Sequence, residues 1–298
     1  MYKVLFVDDE VSIRTMLLDF FESRYQVHTA ENASAALELL KDHSFDLVVS
    51  DINMPGMSGP ELLREIRRRF PKTRTALITA YNTDDYIKLS QDNPICSIIP
   101  KTVPFNFGEM GQIIHGLLSG EIFGLEKYLG SGGAIFRRDI IRSSAQAHEV
   151  REKIVQEVEE KFGSSGDTKL ILDEVLTNAI YHAPRNADGT EKYPEFTQVE
   201  LEPDEYIHIE CGYDSEKYGI AVIDLQGRLT KETILHKLER QITGEGLLDD
   251  SGRGLHMSRL FADRMVINIE RNKKTEIIVM NYFSGKYRGY KPLYINEL

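Results

Sequence analysis

A chain of 298 residues, 41% apolar and 28% charged, has the composition of a globular protein and is long enough for two domains of ordinary size. Its 36 basic and 47 acidic residues leave a net charge of −11; with no long basic block, nucleic acid is not expected as a direct partner. No apolar run approaches the roughly 20 residues of a membrane helix, the start MYKVLFVDDE is not a signal peptide, and Cys96 and Cys211 lack any CxxC or Cys/His neighbourhood, so a cytoplasmic protein with reduced thiols is expected.

In the first 118 residues, five β-rich runs (3–7, 25–29, 46–50, 75–79 and 97–100) alternate with helical patterns near 11–22, 33–43, 59–69, 83–91 and 106–118. Such alternation predicts a doubly wound, five-stranded parallel sheet. Residues 119–143 break the pattern around the flexible turn GSGG (130–133) and are expected to form a linker, with IFGLEKYL as a short amphipathic helix within it. The remainder, 144–298, opens with a helix over about 144–161, a GSSGD turn, a helix over 168–183 and a polar loop over 184–198. Runs 205–213 and 218–225 predict a hairpin, followed by a helix over 230–241, a Gly-rich loop near 244–254, a further helix, and a last hairpin of 264–270 and 276–283. Helices and antiparallel strands occupy separate stretches, so this half is expected to be an α/β sandwich with a mixed, mainly antiparallel sheet.

Sites in open α/β sheets form at the carboxyl ends of the strands, and four of the five expected strands end there in a functional group. These are Asp8–Asp9, Asp51, Thr79 and Lys101. Three carboxylates in one crevice repel one another unless a cation or protons neutralise them, and a hard divalent ion such as Mg²⁺ meets that need. Taken singly, Asp8 or Asp9 could be a loop acid capping the next helix.

VDDE (7–10), SDINMPGMSG (50–59), TA (79–80) and PK (100–101) together closely resemble the receiver domain of two-component response regulators, over about residues 1–118. The resemblance implies that Asp51 accepts a phosphoryl group from an upstream histidine kinase, that Asp8, Asp9, Asp51 and the backbone carbonyl of Asn53 hold Mg²⁺, and that Lys101 and Thr79 bind the phosphoryl oxygens. Phosphoryl transfer of this kind depends on positioning and charge neutralisation. Ile98 stands where receivers usually carry an aromatic switch residue, and Thr102 where they usually carry proline, so the usual Thr–aromatic swing is not implied.

In the second half, the apolar positions Ile171, Leu172, Val175, Leu176, Ala179 and Ile180 mark one helix face, and Glu174 and Asn178 share another at i, i+4. Asn is a poor mid-helix residue. Downstream, a strand ends at Asp224, and SGRGLHMSRLFAD (251–263) places Gly252 and Gly254 before a helix whose N-terminus could bind phosphate. Alone, Asp224 reads equally as a turn cap and a lone GxG as packing. In this order, with Gly227, Leu255 and Thr275 following the pattern, the segments resemble the GHKL-type (Bergerat) ATPase domain of histidine kinases, and most closely its anti-sigma-factor serine-kinase branch, over about 144–283.

That resemblance implies an ATP site: Asn178 on the Mg²⁺ that bridges the phosphates, Glu174 orienting or deprotonating the acceptor, Asp224 on the adenine amino group, and Gly252 and Gly254 at the phosphates beneath a lid at about 228–251. Gln226 stands where the first glycine of D-x-G-x-G is expected, which leaves two readings open. One is a serine/threonine kinase acting on a regulatory protein, such as a sigma factor or its antagonist; the other is a binding module that sequesters such a partner without turnover. AHEVREK (147–153) faintly resembles a histidine-kinase phosphoacceptor at His148, but 119–143 is too short for the dimerising helical hairpin of those enzymes. His182 reads as a polar residue beside the loop, or as a neighbour of the phosphates. Both families often dimerise, so a homodimer remains open.

Overall fold

A computed structural model describes residues 1–79, 97–101, 105, 107–130, 132–163, 167–243, 253–283, 291 and 293–297. The chain divides into two compact units, Met1–Ile122 and Phe123–Leu298. Among the described residues no helix is long and apolar enough to cross a membrane.

Parallel strands β1 (Lys3–Val7), β2 (Gln26–Ala30), β3 (Leu47–Asp51), β4 (Arg74–Thr79) and β5 (Ser97–Pro100) build the first unit in the order β2-β1-β3-β4-β5. Every residue of β3 is buried, the signature of a central parallel strand covered on both faces. Helices α1 (Val11–Phe21), α2 (Ala33–Asp42), α3 (Gly59–Arg69) and α4 (Phe107–Ser119) connect and cover the strands; the helix expected over 83–91 lies outside the described residues. Local chemistry sets the helix starts: the Asn32 side chain accepts from Ala35 N–H at 2.9 Å, and Glu61 accepts from the backbone N–H and hydroxyl of Ser58 at 2.9 and 2.8 Å. The order reverses beside β1, so the crevice at the carboxyl ends of β1 and β3 is where this topology forms a site.

Six strands build the second sheet, in the order β11-β9-β10-β8-β7-β6. They are β6 (Ala134–Ile141), β7 (Ile207–Tyr213), β8 (Lys217–Asp224), β9 (Arg264–Glu270), β10 (Lys274–Tyr282) and β11 (Leu293–Glu297), antiparallel except where β11 runs parallel to β9. Helices α5 (Ser144–Phe162), α6 (Thr168–Thr177), α7 (Lys231–Thr243) and α8 (Arg253–Phe261) complete the unit, an α/β fold with a mixed, mainly antiparallel sheet. Two elements depart from expectation. The segment 119–143 contains a 3₁₀ turn, Leu125–Tyr128, and the edge strand β6; Leu125, Tyr128 and Leu129 are buried, so its glycines serve a packed chain and not a free one. The helix expected over 168–183 is α-helical only to Thr177, and Asn178–His182 form a π turn, closed by Ala183 N–H on Asn178 O at 3.0 Å.

One sheet face carries a buried polar row. Glu276, Asn268 and Asn296 stand side by side on β10, β9 and β11, linked by Asn268 Nδ2 to Glu276 Oε2 and by Asn296 Nδ2 to Asn268 Oδ1, both at 2.8 Å. Burial pushes the Glu276 carboxyl up to about 7, against the hydrogen bonds from Asn268 and Gly124 that favour its charged form. A carboxyl with a higher pKa folded than unfolded holds its proton more tightly in the native state, so stability falls as pH rises through that interval. Between about pH 4.5 and 8 this group should cost the second unit about 3 kcal/mol. Glu276→Gln should flatten that part of the pH profile of the denaturation midpoint; an unchanged slope would mean that the carboxyl titrates normally.

Candidate functional sites

In the first unit the chain brings Asp8, Asp51 and Lys101 together. Lys101 Nζ lies 2.8 Å from Asp8 Oδ2 and 2.6 Å from Asp51 Oδ1, with Glu10 at 4.0 Å. The second Asp51 oxygen accepts from Asn53 N–H at 2.8 Å, and Asp8 Oδ1 from Glu10 N–H at 3.0 Å. Asp8 is fully buried and Asp51 nearly so. Burial raises the Asp51 pKa against the opposing pull of Lys101, while the two carboxylates together outweigh burial at Lys101 and raise its pKa. Thr79, buried at the end of β4, accepts the Lys101 backbone N–H on its carbonyl at 2.6 Å, which pins the lysine beside the acids. Gly59 is the residue sequence reading passed over. It lies so close to the Asp51 carbonyl that any Cβ would overlap it.

Asp9 departs from the expected trio. It is exposed, and its carbonyl, like that of Asp8, accepts from Arg14 Nη1, at 2.9 and 2.6 Å. Among the described residues no three carboxylate, imidazole or thiol groups gather closely enough to hold a metal. Mg²⁺ needs only one or two carboxylates beside water and substrate oxygens, so the buried pair Asp8 and Asp51, with the Asn53 carbonyl, is a donor set that fits it.

In the second unit a cavity of about 580 Å³ is lined by Glu174, Asn178, Lys237, Gly254 and Leu255, among others. The packing is close: a Cβ at Gly254 would overlap the Glu174 carboxylate, so a glycine opening α8 is what lets this acid approach the helix N-terminus. Asn178 Nδ2 donates back to Glu174 O at 2.8 Å, and the π turn begins at this residue. π turns often mark functional sites because they re-aim side chains. A polar cavity of this volume beside a helix N-terminus fits a nucleotide phosphate.

Asp224, Gly227 and Thr275 form a separate cluster that does not line this cavity. Asp224 Oδ1 accepts from Gln226 and Gly227 N–H at 2.9 and 3.0 Å, and Thr275 faces Asp224 across the β8–β10 ladder. Burial raises the Asp224 pKa against these donors. Gly227 takes φ +57, and a Cβ there would overlap the Glu270 carbonyl. Gln226 turns outward and donates to Asp204 O at 2.9 Å. Gly252 lies outside the described residues, as do residues 244–251 of the expected lid; the rest of it contains α7.

His148 lines the cavity, but its Nδ1 faces Arg151 Nη2 at 2.8 Å, and a guanidinium only donates. His182 lines it too, with Nδ1 on Glu191 at 2.9 Å and Nε2 on Glu195 at 3.0 Å, so it also ties down the loop that follows. Lys237 and Arg151 went unnoticed in sequence because each lies in a charged helix with nothing to distinguish it. In the first site, removing the lysine strands two buried carboxylates. Lys101→Ala should therefore cost the first unit about 3 kcal/mol in chelator, part of it restored by Mg²⁺, as measured by chemical denaturation; a loss below about 1 kcal/mol would show that the acids do not depend on it.

Comparison with known proteins agrees with this division. A response regulator receiver domain matches residues 4–114 and a histidine kinase-like ATPase domain residues 137–281. The chain is 42% identical to the response regulator protein FleR of Pseudomonas aeruginosa over 84 residues, 28% of this chain and 18% of FleR. It is 32% identical to the sensor kinase CckA of Brucella abortus over 39% of this chain and 12% of CckA, so it spans less than a fifth of either protein. Against the sporulation initiation phosphotransferase F of Bacillus subtilis it is 33% identical over 39% of this chain and 93% of that protein. Among solved structures, the response regulator TrrA of Thermotoga maritima, in complex with Mg²⁺ and BeF, is 36% identical over 40% of this chain and 100% of TrrA, with a TM-score of 0.35. The chain thus belongs to the response-regulator family through an N-terminal receiver domain, fused to a histidine kinase-like ATPase domain.

Proposed function

We propose that this cytoplasmic protein is a phosphorylation-switched regulator in which Asp51 accepts a phosphoryl group from an upstream histidine kinase and the receiver controls the ATPase-like domain as a serine/threonine kinase. Its substrate would be a regulatory protein of the sigma-factor or sigma-antagonist kind. The observation that carries the kinase reading is the placement of Glu174 and Asn178, one turn apart and beside Gly254, in one cavity.

At the receiver, an Asp51 oxygen attacks the phosphorus of a phosphohistidine; the new O–P bond replaces the N–P bond, and the histidine leaves. Lys101 holds Asp51 in place beforehand and meets the negative charge that the transfer adds, while Thr79 presents a hydroxyl from the end of β4. Bound Mg²⁺ would supply further charge neutralisation, held by Asp8, Asp51 and the Asn53 carbonyl. In the second unit Glu174 takes the proton of an acceptor hydroxyl as its oxygen bonds the γ-phosphorus of ATP, while the bond from that phosphorus to the β–γ bridging oxygen breaks and ADP leaves. Asn178 would carry Mg²⁺, Gly254 and the start of α8 would face the phosphates, and Asp224 with Thr275 would recognise the base.

A second reading, partner binding without turnover, draws on Gln226 and on Asp224, whose Oδ1 is already engaged by two turn amides. MgATP separates the two: it should raise the melting temperature of the wild type by linkage, and Asn178→Ala should abolish that rise, whereas no wild-type shift at millimolar ATP would leave only the binding module. For the receiver, acetyl phosphate with Mg²⁺ should add a single phosphoryl group detectable by intact mass. Persistence of the adduct in Asp51→Asn would refute the acceptor assignment.

A further inference from the structure

The segment after the receiver is clipped to the second sheet at two places. Gly124 N–H donates to both oxygens of Glu276, at 3.0 and 3.1 Å, and Gly130 N–H to Asp214 Oδ2 at 2.6 Å. Both carboxylates are buried. The sheet holds the far side of each: Asn268 Nδ2 meets Glu276 at 2.8 Å, and Lys217 Nζ meets Asp214 at 2.6 Å, with the Glu216 and Lys217 amides at 2.8 and 3.0 Å. Between the clips Leu125, Tyr128 and Leu129 are buried, and the Tyr128 hydroxyl reaches Asn268 Oδ1 at 3.2 Å. Lys274 Nζ lies 3.9 Å from the centre of the Phe123 ring. Gly124 sits at φ +110, where a side chain would also crowd the Glu126 carboxylate.

What lies on either side of these clips gives them a role. Thr275 precedes Glu276 in β10, so the two point to opposite faces of the sheet: Glu276 toward the clipped segment, Thr275 toward Asp224, its partner across the ladder. On the other side, only residues 120–123 separate Gly124 from the end of α4. Even these are partly fixed, since Gly120 N–H closes the helix on Gly116 O at 2.9 Å and Glu121 N–H bonds Ser119 Oγ at 3.1 Å. The covalent path from the end of α4 to the first clip is therefore four residues long.

We infer that residues 123–130 are a signalling strap, clipped to the ATPase-like sheet by Glu276 and Asp214, that passes the phosphorylation state of the receiver to β10 and the Asp224–Thr275 pair. The inference rests on the readings of Asp51 and of the nucleotide site proposed above. When Gly124 slackens, a buried carboxylate loses a donor and β10 loses its support on that face; a modest bias at α4 then shifts the population of strap positions.

The test compares the full chain as wild type, Glu276→Gln and Asp214→Asn, each with and without beryllofluoride and Mg²⁺ as a phosphoryl mimic. Amide hydrogen exchange over 123–130 and 274–282 and titration with ATP are the readouts. Gln keeps the shape of Glu276 but sets a donor where one of its two acceptor oxygens stood. In the wild type, beryllofluoride should change exchange in both segments by about fivefold or more and shift the ATP Kd several-fold. In either variant the strap should exchange roughly tenfold faster, and the beryllofluoride effect on 274–282 and on Kd should shrink below about twofold. The inference is overturned by a wild-type strap that does not respond, or by a response in 274–282 that survives the substitutions; if one variant fails to fold, the other decides. A wild type that binds no ATP refutes the nucleotide reading instead, and the exchange of 274–282 still decides the strap.

Discussion

A carboxylate taken out of water must be met by donors or a cation, or give up its charge, and that demand organises both units of this protein. Asp8 and Asp51 are met by one lysine ammonium. Asp214 is met by Lys217 and three backbone amides, and Asp224 by the amides of its own turn. Glu276 has three donor contacts and no ammonium among them, and burial pushes it up to about 7. Burial raises Asp51 and Asp224 as well, against the cation or the turn amides that meet them.

The same demand bears on the phosphoryl transfer proposed for the receiver. A crevice that sets two acids against one lysine keeps a net negative charge, which a cation would offset. Gly59 and Asn53 contribute by absence and by backbone: the first keeps side-chain atoms away from the Asp51 carbonyl, and the second fixes one Asp51 oxygen with its N–H. In the second unit Gly254 leaves room for the Glu174 carboxylate, as Gly59 leaves room for the Asp51 backbone carbonyl.

The receiver was legible almost element by element because alternating strands and helices with apolar periods leave few other folds, and because its site residues each close a strand. Asp9 was not separable from Asp8 by sequence, since adjacent residues at a strand end leave in opposite directions and only the fold shows which turns inward. Glu174, Asn178 and Gly254 were legible as an ordered set, and the chain does bring them together. Asp224, Gly227 and Thr275 matched the same pattern and form a cluster of their own outside that cavity. Strand β6 was hidden because its glycine-rich approach reads as linker and its half-buried Phe136 and Arg137 lie at a register shift. The π turn at Asn178 left only an indirect trace, an asparagine where a helix would not choose one.

Sequence by itself determined the two-part architecture, the strand-end acids and lysine of the receiver, and the spacing of the Glu–Asn helix, because these follow from local period and order along the chain. Tertiary structure alone decided which carboxylates are buried and what meets them. Lys101 reaches Asp8 and Asp51 across long stretches of chain, and Gly124 reaches Glu276 from the far end of its unit. Burial and pairing are long-range properties, set when the sheet closes and water leaves. For that reason the segment that reads as linker became a strap, and an unremarkable glutamate on β10 became its clip.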